Sequence, residues 1–261
     1  MPFAAQNDGG DLAKRDLSQI YKERETFAQR KFWLYDMKRS EINAIMREAV
    51  EFIDKMNFKL PPFVFFSPED WKSKGKEYDE IRDNMLGWDI TDFGSGDYEK
   101  IGLLMITIRN GNFDNPKYTK PYAEKLLIVK EEQVTPYHFH WSKMEDIINR
   151  GGGNLLVKVY NSTPDEQFDL VNPVTVHIDG REYEVEPGAV IRLTPGESIT
   201  IPQGQYHKFW GEKGTGMILL GEVSKVNDDR VDNRFYEPTG RFPAIEEDEA
   251  PLYLLGNEYP N

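Results

Sequence analysis

From about residue 100 the chain breaks into short runs of aliphatic and β-branched residues: Leu103–Ile108, Leu126–Val129, Leu155–Val159, Val174–Ile178, Val190–Leu193, Ser198–Ile201, His207–Trp210 and Met217–Val223. Turn signals stand between them, at Asn110-Gly111, Gly151 to Asn154, Asp179-Gly180, Pro187-Gly188 and Pro195-Gly196. Many short strands with frequent turns bury their faces by forming a sandwich or small barrel. The sharpest single signal is Asp179-Gly180 between Val174–Ile178 and Glu182–Val185. A type I′ hairpin turn needs positive φ at both central positions, and Asp-Gly tolerates it. The expected fold is therefore mainly β, with a barrel over residues 96–225.

The first third reads differently. Residues 11–32 carry Leu17, Ile20, Tyr21, Phe27 and Ala28 among many charges, an amphipathic helical pattern. Residues 40–56 repeat it, with Ser40 offered as N-cap, Glu41 in the first turn, and Ile42, Ile45, Met46, Ala49, Ile53 and Met56 in one stripe. Ser67 to Asp70, with Pro68 first in the helix, is a further helix start. Residues 1–95 thus read as a helical extension packed outside the barrel, and 226–261 as a C-terminal arm lying on it. Within the arm, Lys225–Arg234 is polar and turn-like, the acidic run Glu246–Glu249 reads as a solvated segment, and Leu252–Leu255 is expected to dock on the body.

Composition narrows the partners. The formal net charge of −13 repels phosphate backbones and anionic lipid, which argues against nucleic acid and membrane and favours a small neutral ligand such as a sugar. With no cysteine, disulfides and thiolate metal sites are excluded and a reducing compartment is suitable. No apolar leader is visible, and the longest apolar runs, Phe63–Phe66 and Met217–Leu220, are too short to cross a bilayer. A cytoplasmic protein is expected. The N-terminal helices and the many aromatic residues suit a homodimer.

Three of the four histidines stand at telling positions: His138, His140 and His207. On a strand, His138 and His140 leave the same face. Glu145 follows after four residues, enough chain to turn a corner and return a carboxylate, although it could equally begin a short helix. His207 would be delivered by another strand. Three imidazoles and a carboxylate suit one divalent first-row ion and leave coordination positions open, as a catalytic site requires. His177, just before the hairpin turn, has no such companions and reads as non-functional.

These positions match a two-part pattern. His138, His140, Glu145 and Gly152 resemble the first cupin motif, and Gly196, Pro202, Gly204 and His207 the second. Gly211 stands where the second motif usually has Asn, and the glycine that usually opens the first is missing. The surrounding text, notably Lys125–Lys130, Thr135–Asp146, Gly151–Lys158, Gly221–Asp229 and Asp232–Phe235, resembles the D-lyxose isomerase family from about Ile42 onward. That resemblance implies a manganese-dependent aldose–ketose isomerase acting on D-lyxose and, as a side activity, D-mannose. The ligand set alone suits Mn²⁺, Fe²⁺, Co²⁺, Ni²⁺ or Zn²⁺ equally.

Isomerisation needs a carboxylate that is not committed to the metal. Glu222 fills that role as the catalytic base. Lys125 is assigned to polarise a sugar oxygen, and Asp232 and Arg234 to hold the distal hydroxyls; Lys130 is the solvent-facing lysine. Trp88 and Asp89 are candidates to cover the pocket mouth. A cupin dioxygenase, a sugar-phosphate isomerase and a non-catalytic sugar-binding cupin are the rival readings. The phosphate reading is the weakest of the enzymes, because the ligand-bearing strands offer little basic charge beyond Lys125 and Lys208.

Overall fold

The structure is a computed structural model that describes residues 37–240 and 242–260. The amphipathic pattern at 11–32 lies outside the described residues. Fifteen strands follow in chain order among them: β1 (Met37–Lys38), β2 (Gly87–Thr91), β3 (Leu103–Arg109), β4 (Tyr122–Val129), β5 (Val134–His140), β6 (Glu145–Gly152), β7 (Leu155–Asn161), β8 (Val174–Ile178), β9 (Arg181–Val185), β10 (Val190–Leu193), β11 (Ser198–Ile201), β12 (Gln205–Gly211), β13 (Ile218–Lys225), β14 (Asn233–Phe235) and β15 (Ile245–Glu246). Eight form one sheet in the order β2-β3-β4-β13-β6-β11-β8-β9, and five face it in the order β10-β7-β12-β5-β14. β1 and β15 form a small parallel pair. This is the mainly-β, cupin-type double-sheet architecture expected, with the helix α1 (Arg39–Lys55) packed outside it.

Two cores explain why the central strands read as continuous apolar runs. Leu103, Met105, Leu127 and Val129 turn inward and pack between the sheets with Ile147, Val157, Ile199 and Leu220. Their alternating neighbours Leu104, Ile106, Leu126 and Ile128 turn outward beneath Ile42, Met46 and Ile53 of α1. β3 and β4 are therefore buried on both faces, and α1 is amphipathic because it covers the outer one. Each buried aliphatic side chain contributes about 1.5–3 kcal/mol. At the β8–β9 hairpin Asp179 and Gly180 take φ of 50° and 76°, the turn that the dipeptide called for.

Several local expectations give way. α1 begins at Arg39 with Lys38 in the cap position, so Ser40 lies inside the first turn and does not cap it. Its N–H and hydroxyl instead donate to the Asp248 carboxylate at 2.8 and 2.6 Å. The acidic run is exposed, as expected, but it is tied down: Glu247 pairs with the buried Arg39 and Glu249 accepts from Asn43. The run brings carboxylates to the positive end of α1. The first third is only partly helical, since β2 joins the large sheet beside β3. Trp88, on β2, is 1% exposed, donates its indole N–H to the Val64 carbonyl and stacks on Tyr253. It is a core residue that also lines, with Asp89, the large cavity beside β2 to β4, but at 1% exposed it offers no open stacking platform. Lys130 is half-buried between Glu48 and Glu99 rather than solvent-facing. The expected docking of Leu252–Leu255 is seen, with the Leu252 N–H donating to Asn43 Oδ1 and Leu255 bridging to Trp88. The capping box at Ser67 and Asp70 forms as expected. Among the described residues no helix is long and apolar enough to cross a membrane.

Candidate metal centre and active site

β5 carries His138 and His140 on its inward face, and the neighbouring β12 places His207 directly opposite His138. β6, in the other sheet, opens with Glu145 as a strand residue, not a helix start. The Gly204 turn that leads into β12 has φ of 72°, and its N–H donates to the His140 carbonyl at 3.0 Å, so the turn fixes β12 against β5. Gly152, at φ of 87°, lies where a Cβ would stand 2.2 Å from the Met217 carbonyl oxygen. Both motif glycines are therefore backbone requirements of the site's frame.

All four side chains are buried, and one ligand atom from each lies within 4.8 Å of the others. Each histidine Nδ1 faces a backbone carbonyl: His138 that of Pro136 at 2.9 Å, His140 that of Asp232 at 3.2 Å, His207 that of Gln205 at 3.1 Å. A carbonyl only accepts, so Nδ1 carries the proton and Nε2 presents its lone pair. Burial and the neighbouring histidines push His138 well below its ordinary range; burial and Lys143 push His140 down as well. Those two rings are therefore neutral at physiological pH. Glu145 Oε1 stands 3.3 and 3.2 Å from Nε2 of His140 and His207. Burial would raise the Glu145 carboxyl, but Lys143 and His140 hold it well below the usual carboxylate range. Lone pairs and a carboxylate thus converge on one point, and His207 Nε2 has no hydrogen bond. Such a cluster needs a cation at its centre, and the donor set fits a divalent metal ion.

Around the cluster runs a buried charge network that the sequence only half announced. Glu222 lies in the middle of β13, opposite Lys125 of β4, and Lys125 Nζ is 3.2 Å from Glu222 and 2.7 Å from Asp229. Lys143 Nζ is 2.5 Å from Glu145 Oε2 and 3.0 Å from Glu222 Oε1. Burial would lower the Lys143 ammonium, but Glu145, Glu222 and Asp229 raise it, so it stays charged. One lysine therefore touches both the metal-facing carboxylate and the free one. The opposite wall is apolar, with Phe93, Met105, Leu127, Phe209 and Phe235.

The two remaining sequence candidates separate. The Asp232 carboxylate accepts from the N–H groups of Ser142 and Lys143 and from the Ser142 hydroxyl, at 2.8 to 2.9 Å. It holds the β5–β6 corner that delivers Lys143 and Glu145. Arg234 pairs with Phe139 across β14 and β5, so its side chain leaves the other face of the sheet and meets Glu166. The structure does not bring it to the cluster. Asn233 and Phe235, its neighbours in β14, point inward instead. His177 lies on β8 far along the large sheet, 3.6 Å from Glu182.

Lys143, Asp229, Asn233 and Phe235 were missed by sequence reasoning. Lys143 lies in the unspecified gap of the first motif, and Asp229 in a polar stretch that reads as a loop. Only the two-residue alternation from Asn233 to Phe235 offered a signal.

Two sheets enclosing a buried three-histidine, one-glutamate cluster make a cupin-type architecture, and solved structures share the fold. The chain superposes on L-ribose isomerase from Acinetobacter sp. DL28 (a mutant in complex with L-ribose) with TM-score 0.55 and 14% identity, covering 81% of this chain and 98% of that one. L-ribose isomerase from Cellulomonas parahominis with L-ribose gives TM-score 0.54, 15% identity and 81% and 99% coverage. Sequence is more specific. The D-lyxose isomerase family model matches residues 37–259. The D-lyxose/D-mannose isomerase of Serratia proteamaculans is 48% identical over 225 residues, covering 85% of this chain and 98% of that protein. Its counterpart in Escherichia coli O157:H7 is 47% identical over 224 residues, with the same coverage. The chain belongs to the D-lyxose isomerase family.

Proposed function

We propose that the protein interconverts D-lyxose with D-xylulose, and D-mannose with D-fructose, by proton transfer through a cis-enediol, with one divalent ion, Mn²⁺, held by His138, His140, Glu145 and His207. When bound, the ion supplies Lewis-acid stabilisation of negative charge developing at the reacting end of the sugar. The observation that carries the reading is Glu222: a buried carboxylate outside the ligand set, lining the same pocket as His138, His140 and Glu145. In the aldose-to-ketose direction C2 loses a proton to Glu222, and the same carboxyl returns it to C1. The hydroxyl proton passes from O2 to O1. A single shuttle on one face of the sugar is what a cis-enediol route requires.

Lys125 and Lys143, each within 3.2 Å of Glu222, set the direction of the base. Lys125 is the closer of the two to the open side of the pocket, beside Asp229, and polarises a sugar oxygen. Asp232 acts through the corner it holds. The apolar wall of Phe93, Phe209 and Phe235 excludes water, which strengthens each of these interactions. The names of the two bacterial relatives support both the lyxose and the mannose activity. The rival dioxygenase and binding-only readings leave Glu222 and its two lysines without a task. We place the enzyme as a homodimer in the cytoplasm, in keeping with its lack of cysteine.

Incubating the Mn²⁺-loaded protein with D-lyxose or D-mannose in heavy water should yield the ketose, with solvent deuterium at C1 to the extent that the Glu222 carboxyl exchanges before it returns the proton. Absence of ketose from every aldose tried would overturn the proposal.

A further inference from the structure

The cavity beside His138, His140 and Glu145 has a volume of only about 40 Å³. At about 10–15 Å³ per water on such a measure, that is room for roughly three waters, too little for the five carbons and five oxygens of a pentose beside an ion. A second cavity of about 390 Å³ opens next to it, between the ends of β2, β3 and β4 and the loop that carries Asp228 to Val231. Lys125 and Asp229 are the two residues that line both. Their ion pair, at 2.7 Å, is the partition between the cavities.

The outer cavity mixes apolar side chains with hydrogen-bonding groups, among them Asp89, Asn112, Asn115 and Asp228. Phe113 lines it too and is 63% exposed, an aromatic face open to the cavity's occupant. Amides and carboxylates beside an exposed ring suit a ligand with hydroxyls on its edges and C–H groups on a face. The charge is selective as well. Five aspartates line the cavity against two cations, and both cations are already paired, Arg230 with Asp228 at 2.5 Å and Lys125 with Asp229. A phosphate group would meet carboxylates with no cation free to receive it.

We propose that this outer cavity is the seat for the distal carbons of a neutral, unphosphorylated aldose. The reactive end of that sugar lies at the four ligands, and the Lys125–Asp229 pair is the sill it crosses. This rests on the isomerase reading for the inner end, while the outer cavity binds hydroxylated chains in its own right.

Phe113→Ala and Asn115→Ala, each loaded with Mn²⁺, should raise KM for D-lyxose and D-mannose about fivefold or more, with kcat within about twofold and full metal content. Tyr183→Ala, on the remote β9, serves as the control. D-Mannose 6-phosphate should not be turned over. D-Mannitol, which cannot isomerise, should shift the ¹⁵N side-chain amide signals of Asn112 and Asn115 saturably, and at least fivefold more weakly in Phe113→Ala. Mannitol binding with no ketose from any aldose would sink the isomerase reading and leave the outer site standing. Normal turnover with unchanged KM in both variants and no amide shifts would overturn the outer site alone. So would turnover of the phosphate ester, or a Phe113→Ala protein that changes only its oligomeric state.

Discussion

Glu222 and Glu145 are two buried carboxylates that share one lysine, and the different tasks we propose for them can be separated by substitution. Glu222→Gln keeps the side chain's volume and loses the proton acceptor. We expect turnover to fall by about 10²–10⁴-fold, the usual worth of a positioned general base, with metal content unchanged. His207→Ala removes one of the three Nε2 donors. It should cost more than the roughly 10–100-fold in metal affinity typical of losing a ligand's hydrogen-bond partner. Elemental analysis beside kinetics on the two variants checks both; metal lost from Glu222→Gln would make it a ligand. The four ligands were legible because their spacing is the chemistry: alternation on β5 sets two imidazoles on one face, and the glycines shape the returns. Lys143 was not legible, because two residues before Glu145 it reads as any surface lysine, and only the corner held by Asp232 turns it inward. Arg234 was misjudged for a related reason. Asp232 and Arg234 are two apart, but Asp232 precedes β14, so strand alternation does not apply between them.

At the scale of elements, the acidic run and α1 form one unit. Arg39 is 1% exposed and is held by Glu247 and Glu258 from the C-terminal arm, while Asp248 and Glu249 take Ser40 and Asn43. Arg39→Met should destabilise the fold by roughly 2 kcal/mol, the scale of a charged hydrogen bond, measured by urea denaturation. The pH dependence follows from the carboxylates. The Glu247 carboxyl is held below its ordinary range by the Arg39 hydrogen bond, and Asp248 by Ser40. Depressed folded values mean that their contribution is fully present above the unfolded values near 4, and is lost as pH falls through the folded ones. Amides of the first turn of α1 should therefore exchange faster at pH 3.5 than the helix centre does, relative to pH 7. In Arg39→Met the Glu247 share of that change should vanish and the Asp248 share remain; an unchanged acid response would place the arm's hold elsewhere. None of this was readable locally. Ser40 has the composition of a cap and the run that of a solvated tail, and more than 200 residues separate the partners.

At the scale of the molecule, a metal bound at the four-residue cluster would join what the backbone leaves apart. His138, His140 and His207 stand on the five-stranded sheet and Glu145 on the eight-stranded one, so an ion bound to all four ties the sheets together at the end where the pocket opens. Elsewhere the sheets are held mostly by apolar packing, which the β-rich runs made legible. Direct hydrogen bonds add to it, such as those from Gln205 to the Thr175 carbonyl and from Asn149 to the Leu193 carbonyl. The tie at the four residues would depend on a bound ion. An ion at a hundred times its Kd adds about 2.7 kcal/mol to stability. For a chain of this size each kcal/mol is worth about 2–4 °C, so chelation should lower Tm by roughly 5–10 °C and resupply of Mn²⁺ should restore it. Glu222→Gln, which removes no ligand, should show the same shift as the unaltered protein. Glu145→Gln, which loses the ligand from the second sheet, should show a much smaller one while its inter-sheet packing is otherwise intact. Equal shifts in both variants would mean that the ion is held by the histidine sheet alone, and that the Glu145–Lys143 pair, not the metal, closes this end of the molecule.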